Sequence, residues 1–221
     1  MKRIILFMAL IAMSLQFAMA QGAQGQGQGQ NQGVIGEGQN QTQGQGQGKG
    51  LRTDRKMMEI KKIITLSPTQ EMAIRAALAE HQKTGDSILL KVSDPNVAAQ
   101  LSYESSKKYH IAFMNALTDE QRVEYIRVTN APEMQAKAAA KVDVLRESGS
   151  YTQAQLDSAQ VQIFDYLMLE KVVYTRDKYD YQKQKENIAQ LKKLQPARLR
   201  QADTQQKEKI EKKYHQGTTK W

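Results

Sequence analysis

From Leu51 onward, apolar side chains recur every three or four positions and hardly ever alternate, which is the period of helices and not of strands. Met57, Met58, Ile60, Ile63 and Ile64 predict a short amphipathic helix ending near Leu66. A second helix carries Met72, Ile74, Ala77 and Leu78, then Ile88, Leu89 and Val92; Gly85 weakens its middle and Asp94-Pro95 stops it. The same pair opens a third helix, with Asp94 as N-cap and Pro95 at the first helical position. Leu101, Ser105, Ala112 and Ala116 form one stripe of that helix, broadened by Val97, Ile111 and Phe113. A fourth helix passes through Val123, Tyr125 and Ile126 and is expected to end at Pro132, because proline lacks the N–H and crowds the preceding turn. A fifth, over 133–147, places Met134, Ala138, Val142 and Leu145 on one side, with Gly149 as its terminator. Between Thr152 and Gln195 there is no Gly or Pro, and Leu167, Tyr174, Tyr181 and Ile188 recur every seven residues. That pattern favours one unbroken helix, roughly 60 Å long at about 1.5 Å per residue, with a hairpin near Thr175 as the alternative.

The helix starts share a phrase. Leu66-Ser67-Pro68-Thr69-Gln70 and Leu117-Thr118-Asp119-Glu120-Gln121 each place a hydroxyl three residues before a glutamine, and Thr152 and Gln155 repeat the spacing. This is a capping box, in which the hydroxyl accepts from the N3 backbone and the N3 side chain reaches back to the cap N–H. Tyr151 and Leu156 flank the third box in the hydrophobic-staple positions. A fourth, eroded version falls at Leu194-Gln195-Pro196, with Pro196 expected at the first helical position. The recurrence predicts an all-α, thin, extended assembly of helical hairpins built from two tandem units, 51–131 and a degenerate 132–206, followed by a basic tail, 207–221.

The amino-terminal fifty residues are different in kind. Lys2 and Arg3, the apolar run Ile4–Leu15 and Ala18-Met19-Ala20 read as a secretory signal peptide over 1–20. Residues 21–50 are almost wholly Gln and Gly, too polar to offset their ordering entropy, and read as a disordered linker. Gly48-Lys49 resembles the end of a phosphate loop, but Gln43 and Gly50 stand where Gly and Ser or Thr are required. The chain has no cysteine, which removes disulfides, thiolate metal sites and thiol redox chemistry. Together these features point to an exported protein, periplasmic or else secreted. The formal charge is +9, with the excess concentrated after residue 171. Such a basic end meets acidic proteins or an anionic membrane surface, and export argues against nucleic acid.

A secreted all-helical chain with paired Leu-Ser/Thr-x-x-Gln phrases resembles the LTxxQ-motif family of periplasmic proteins, which includes Spy- and CpxP-type chaperones and zinc-resistance-associated proteins. The resemblance covers about residues 54–130, with 133–206 as a degenerate copy. It implies curved helical dimers that bind unfolded or stress-damaged proteins without ATP. A chain holding two copies leaves open a homodimer or an internal pseudo-dimer.

The boxes themselves (Leu66, Ser67, Gln70, Leu117, Thr118, Gln121, Thr152 and Gln155) are read as structural. Candidate client-binding residues are Met57 and Met58, because flexible, polarizable methionines adapt to varied partners, and the stripe Tyr174, Lys178, Tyr181 and Lys185. His81, His110 and His215 are widely spaced, although His81 and His110 come within reach of each other across the first hairpin; no pair has the spacing of a helical zinc site. There is no GxSxG, Cys–His pair or close carboxylate pair, so no enzymatic chemistry and no cofactor are expected. Three readings follow in order: an ATP-independent envelope chaperone for unfolded clients, a helical scaffold or stress-regulatory adaptor for one defined partner, and a zinc-binding envelope protein.

Overall fold

The computed structural model describes residues 48–218, with side chains over 52–214, and the signal-peptide and Gln/Gly readings up to residue 47 lie outside them. The described residues are all-α. Seven helices follow one another: α1 Gly48–Lys61, α2 Pro68–Lys91, α3 Pro95–Ala116, α4 Asp119–Glu147, α5 Gln153–Arg176, α6 Tyr181–Lys192 and α7 Ala197–Thr218. Among the described residues no helix is long and apolar enough to cross a membrane.

The first three helices form an antiparallel set. α1 runs back along α2, tied by Lys61–Glu71 at 2.9 Å and Arg75–Asp54 at 2.5 Å. α2 and α3 form a hairpin whose turn is closed by Asp94, which accepts from the Asn96 and Val97 N–H groups. Gly85 does not end α2, because a single glycine costs only about 1 kcal/mol in a helix interior and both ends here are capped. Met57, Ile60, Ile64, Ile74, Leu78, Phe113, Met114 and Leu117 bury their side chains together.

Two expectations about helix boundaries are overturned. The helix expected to end at Pro132 runs through it, so α4 is a single element of 29 residues and 133–147 is its second half. Ile126 and Met134 are both buried, one on each side of Pro132, so packing on either side keeps the chain helical across the exposed ring. Thr129 Oγ1 and Asn130 Nδ2 donate to the Tyr125 and Ile126 carbonyls at 2.7 Å each, reinforcing the turn before the proline. α4 therefore crosses the expected unit boundary at 131/132. Its first half contributes Ile126 to the core already described, and its second half contributes Ala138, Val142 and Leu145 to another.

The unbroken helix favoured from Thr152 to Gln195 does not form; the chain turns at 177–180, close to the alternative break. Asp177 ends α5 and Asp180 caps α6, accepting from the Lys183 N–H at 3.0 Å. Asp177 is buried and takes hydrogen bonds from Arg176 and from Asn187 Nδ2 at 2.8 Å. Aspartates that bind nearby backbone and side chains compete with helix continuation without any Gly or Pro. The seven-residue recurrence is real but is shared between two helices.

α4 and α5 form the second hairpin, clamped by Lys171–Glu133 at 2.9 Å and closed by Gly149, whose φ of 67° suits glycine after a helix end. α7 lies alongside α4 in the same direction, with Lys141–Asp203 at 2.7 Å and a Lys209–Glu147 ion pair. Leu156, Ala159, Ile163, Tyr166, Leu191, Leu199 and Ala202 complete this second core. Val172 of α5 reaches back into the first core, so the two are joined. The start of α7 departs from the expected pattern. Pro196 holds the cap position, its carbonyl accepting from the Arg200 N–H at 3.1 Å, and is not the first helical residue. Gln195 bonds Asp203 at 3.2 Å instead of any cap.

Candidate functional site

At all three hydroxyl–glutamine phrases the local geometry is a complete capping box. Ser67, Thr118 and Thr152 accept from the N–H groups of Gln70, Gln121 and Gln155, and each glutamine Oε1 accepts from its cap's N–H at 2.9 Å. The first two boxes also do something that spacing does not show. Gln70 Nε2 donates to the Ala116 carbonyl at 2.8 Å and to Gln121 Oε1 at 2.7 Å. Gln121 Nε2 returns the favour to the Thr65 carbonyl at 2.6 Å. Thr65 and Ala116 stand at equivalent positions, two residues before their caps, so the two loops are clasped reciprocally. Arg122 adds a bond to the Met114 carbonyl at 2.5 Å, a second donor to an acceptor that also takes the Leu117 N–H at the end of α3. Leu117 is buried beneath the clasp and Leu66 is half-buried against the same core. The third box has no such partner: among the described residues the cap bonds are the only hydrogen bonds of the Gln155 side chain, which is exposed.

The expected client-binding residues separate. Met57 is only 1% exposed and belongs to the first core, so it presents nothing to a client; Met58, one residue on, is 59% exposed. This is a correction, and its cause is the helical period, which turns adjacent side chains about 100° apart. Tyr174, Tyr181 and Lys185 do come together, lining one groove along α6 with Ile188, Ala189 and Lys192. Lys178 is not part of it. Its ammonium lies 5.2 Å from the Tyr179 ring centre, and that ring stands edge-on to both Tyr103 and His110 of α3.

One exposed surface was not singled out from sequence. At the tip of the α2–α3 hairpin Leu89 and Leu90 are 85% and 83% exposed, and Val97 in the first turn of α3 is 46% exposed. The signal was present in the adjacent leucines. Ile88 is buried, and a helix face that covers position 88 cannot also cover the next two.

The histidines do not meet. His81 Nδ1 lies 2.8 Å from Ser105 Oγ and its ring stacks on Tyr109. Burial pushes the Tyr109 hydroxyl up to about 12, so it stays protonated. Ser105 lies inside α3, where the neighbouring backbone N–H groups are committed to the helix. His110 faces the α5–α6 turn instead, with Nε2 buried and making no hydrogen bond. Burial, then the Lys178 charge, lowers its pKa, against the opposing pull of the Thr175 and Arg176 carbonyls. Among the described residues no group of three or more His, Cys, Asp or Glu side chains is placed to hold a metal. The His215 side chain lies outside them.

No family model, curated protein or solved structure matches this chain.

Proposed function

We propose that the chain is an ATP-independent chaperone of the cell envelope, of LTxxQ type, that holds unfolded proteins on exposed apolar helix surfaces flanked by lysines. The observation that carries this reading is the hairpin tip. A folded chain rarely leaves neighbouring leucines almost fully in water without a use for them, and Leu89 and Leu90 stand so at the end of α2. Burying a leucine on a client contributes about 1.5–3 kcal/mol, so a few such contacts give weak, reversible capture without a nucleotide cycle. Lys91 beside the leucines keeps the tip soluble and favours acidic stretches of a client. The envelope location rests on the leader-like segment before residue 21, and amino-terminal sequencing of the periplasmic protein tests it by finding Gln21 first.

The function is tested by light scattering of reduced, aggregating insulin with and without the purified protein. The expected result is slower aggregation at equimolar or lower protein, with most of the effect lost in the Leu89→Ser/Leu90→Ser variant. Unchanged scattering with the wild-type protein, for insulin and for a second unrelated unfolded protein, sinks the reading.

A further inference from the structure

One face of α6, with Tyr174 of α5 beside it, lines an open groove of about 400 Å³. Ile188 is the buried apolar residue of its lining and Ala189 a small exposed one, Tyr174 and the 76% exposed Tyr181 add two aromatic rings, and Lys185 and Lys192 follow along α6. The acids nearby are already engaged. Asp177 takes Arg176, Asn187 and Lys183, Asp180 caps α6, and Glu186 accepts from Gln182 at 2.5 Å. Among the described residues no carboxylate pairs with Lys185, while the half-buried Glu170 acts on Lys192 from the α5 side. The groove thus offers a buried isoleucine, two aromatic rings and a line of cationic charge.

The geometry selects the shape of an occupant. A helix face whose lining residues recur every three or four positions takes another helix at about 8–10 Å between axes, and the small, exposed Ala189 permits that approach. Lys185 and Lys192 are seven residues apart, about 10.5 Å along α6 at 1.5 Å per residue. Carboxylates two turns apart on a docked helix match that distance. An extended strand does not, since residues three apart span about 10 Å but face opposite sides. We infer that this groove docks one amphipathic helix of a partner protein, with leucine-class side chains between Tyr174 and Tyr181 and carboxylates two turns apart facing Lys185 and Lys192. Helix-in-groove recognition of this kind gives a defined partner, which goes beyond the capture of unfolded clients and does not rest on it.

The test is fluorescence anisotropy with a labelled, alanine-rich 18-residue peptide bearing Glu at positions i and i+7 and Leu at i+3 and i+4. The expected result is saturable binding at one peptide per protein. Lys185→Glu should weaken it at least tenfold, Tyr181→Ala several-fold, and a peptide with Lys in place of both Glu should prefer the Lys185→Glu protein to wild type. Both side chains are exposed, and far-UV circular dichroism confirms that each variant keeps its helices. Absence of saturable binding, equal affinity in both variants, or equal binding of the Lys peptide to wild type overturns the inference. Concentration-dependent sedimentation of the wild-type protein that disappears in Lys185→Glu also overturns it, by giving the groove to a second copy of the chain. Insulin aggregation measured on the same variants keeps the two readings apart: lost peptide binding with intact suppression supports the groove as a separate site, and intact peptide binding with lost suppression overturns that separation.

Discussion

Replacing Gln121 by Ala removes one side chain that serves two loops, and Gln155→Ala supplies the internal control. Both glutamines occupy the same position in a capping box and accept from their own cap N–H at 2.9 Å. Only Gln121 also donates to the Thr65 carbonyl at 2.6 Å and accepts from Gln70 at 2.7 Å. At about 1 kcal/mol net per hydrogen bond, Gln155→Ala should cost about 1 kcal/mol. Gln121→Ala should cost roughly 2–3 kcal/mol, slightly less than three full bonds because the exposed Thr65 carbonyl can turn to water. For a chain of this size each kcal/mol moves Tm by about 2–4 °C. The expected loss is therefore roughly 4–12 °C for Gln121→Ala and about 2–4 °C for Gln155→Ala. Urea unfolding followed by circular dichroism measures both, and the Gln70→Ala/Gln121→Ala cycle should return a coupling of about 1 kcal/mol, since residues in one hydrogen-bond network are not additive. Equal destabilisation by the two single variants, or strict additivity in the cycle, would refute the clasp.

Two further outcomes follow from the corrected helix boundaries and from the α3 contact. Pro132 is exposed in the middle of a helix that forms despite it, so Pro132→Ala should stabilise the protein by about 1–3 kcal/mol; a lower Tm would show that the proline is needed for the path of α4. His110 has a lowered pKa, so above the unfolded value near 6.5 both states are neutral and its contribution is complete. As pH falls through that value the unfolded chain takes up a proton that the folded one resists, and stability declines until the folded pKa is passed. His110 is faced by Lys178 and by the Thr175 and Arg176 carbonyls, and His110→Phe keeps the packing on Tyr179 while removing the titration. Urea midpoints at pH 7.5 and 5.5 should differ less in the variant than in wild type, and an unchanged difference would assign the pH dependence to other groups.

Helix class and most helix starts were legible in the sequence because their causes are local. A hydroxyl and a glutamine three residues apart, or Asp94 followed by Pro95, fix a helix start within one turn of chain, whatever lies elsewhere. The stripe Met134, Ala138, Val142 and Leu145 likewise follows from the 3.6-residue period and is buried as read, whereas Met72 and Leu89 of α2 and Tyr174 of α5 stay exposed. Where the reading failed, the deciding partner was distant. Pro132 is a helix breaker by its own chemistry, but cores on both sides of it outweigh that cost. The Asp177–Asp180 turn has no Gly or Pro to announce it, and it is held by Asn187 on the next helix and by Tyr179 against α3. Tyr174 and Tyr181 share a surface as the stripe implied, although a turn and not a continuous helix brings them together. Met57 and Met58 are indistinguishable as letters, and only the placement of α1 on α2 decides which one is buried. The sequence by itself thus determined that the described residues are helical and where α2, α3, α4 and α5 begin. The tertiary structure decided which apolar side chains stay in water and that two of the boxes clasp each other, because both depend on contacts between residues that chain order does not bring together.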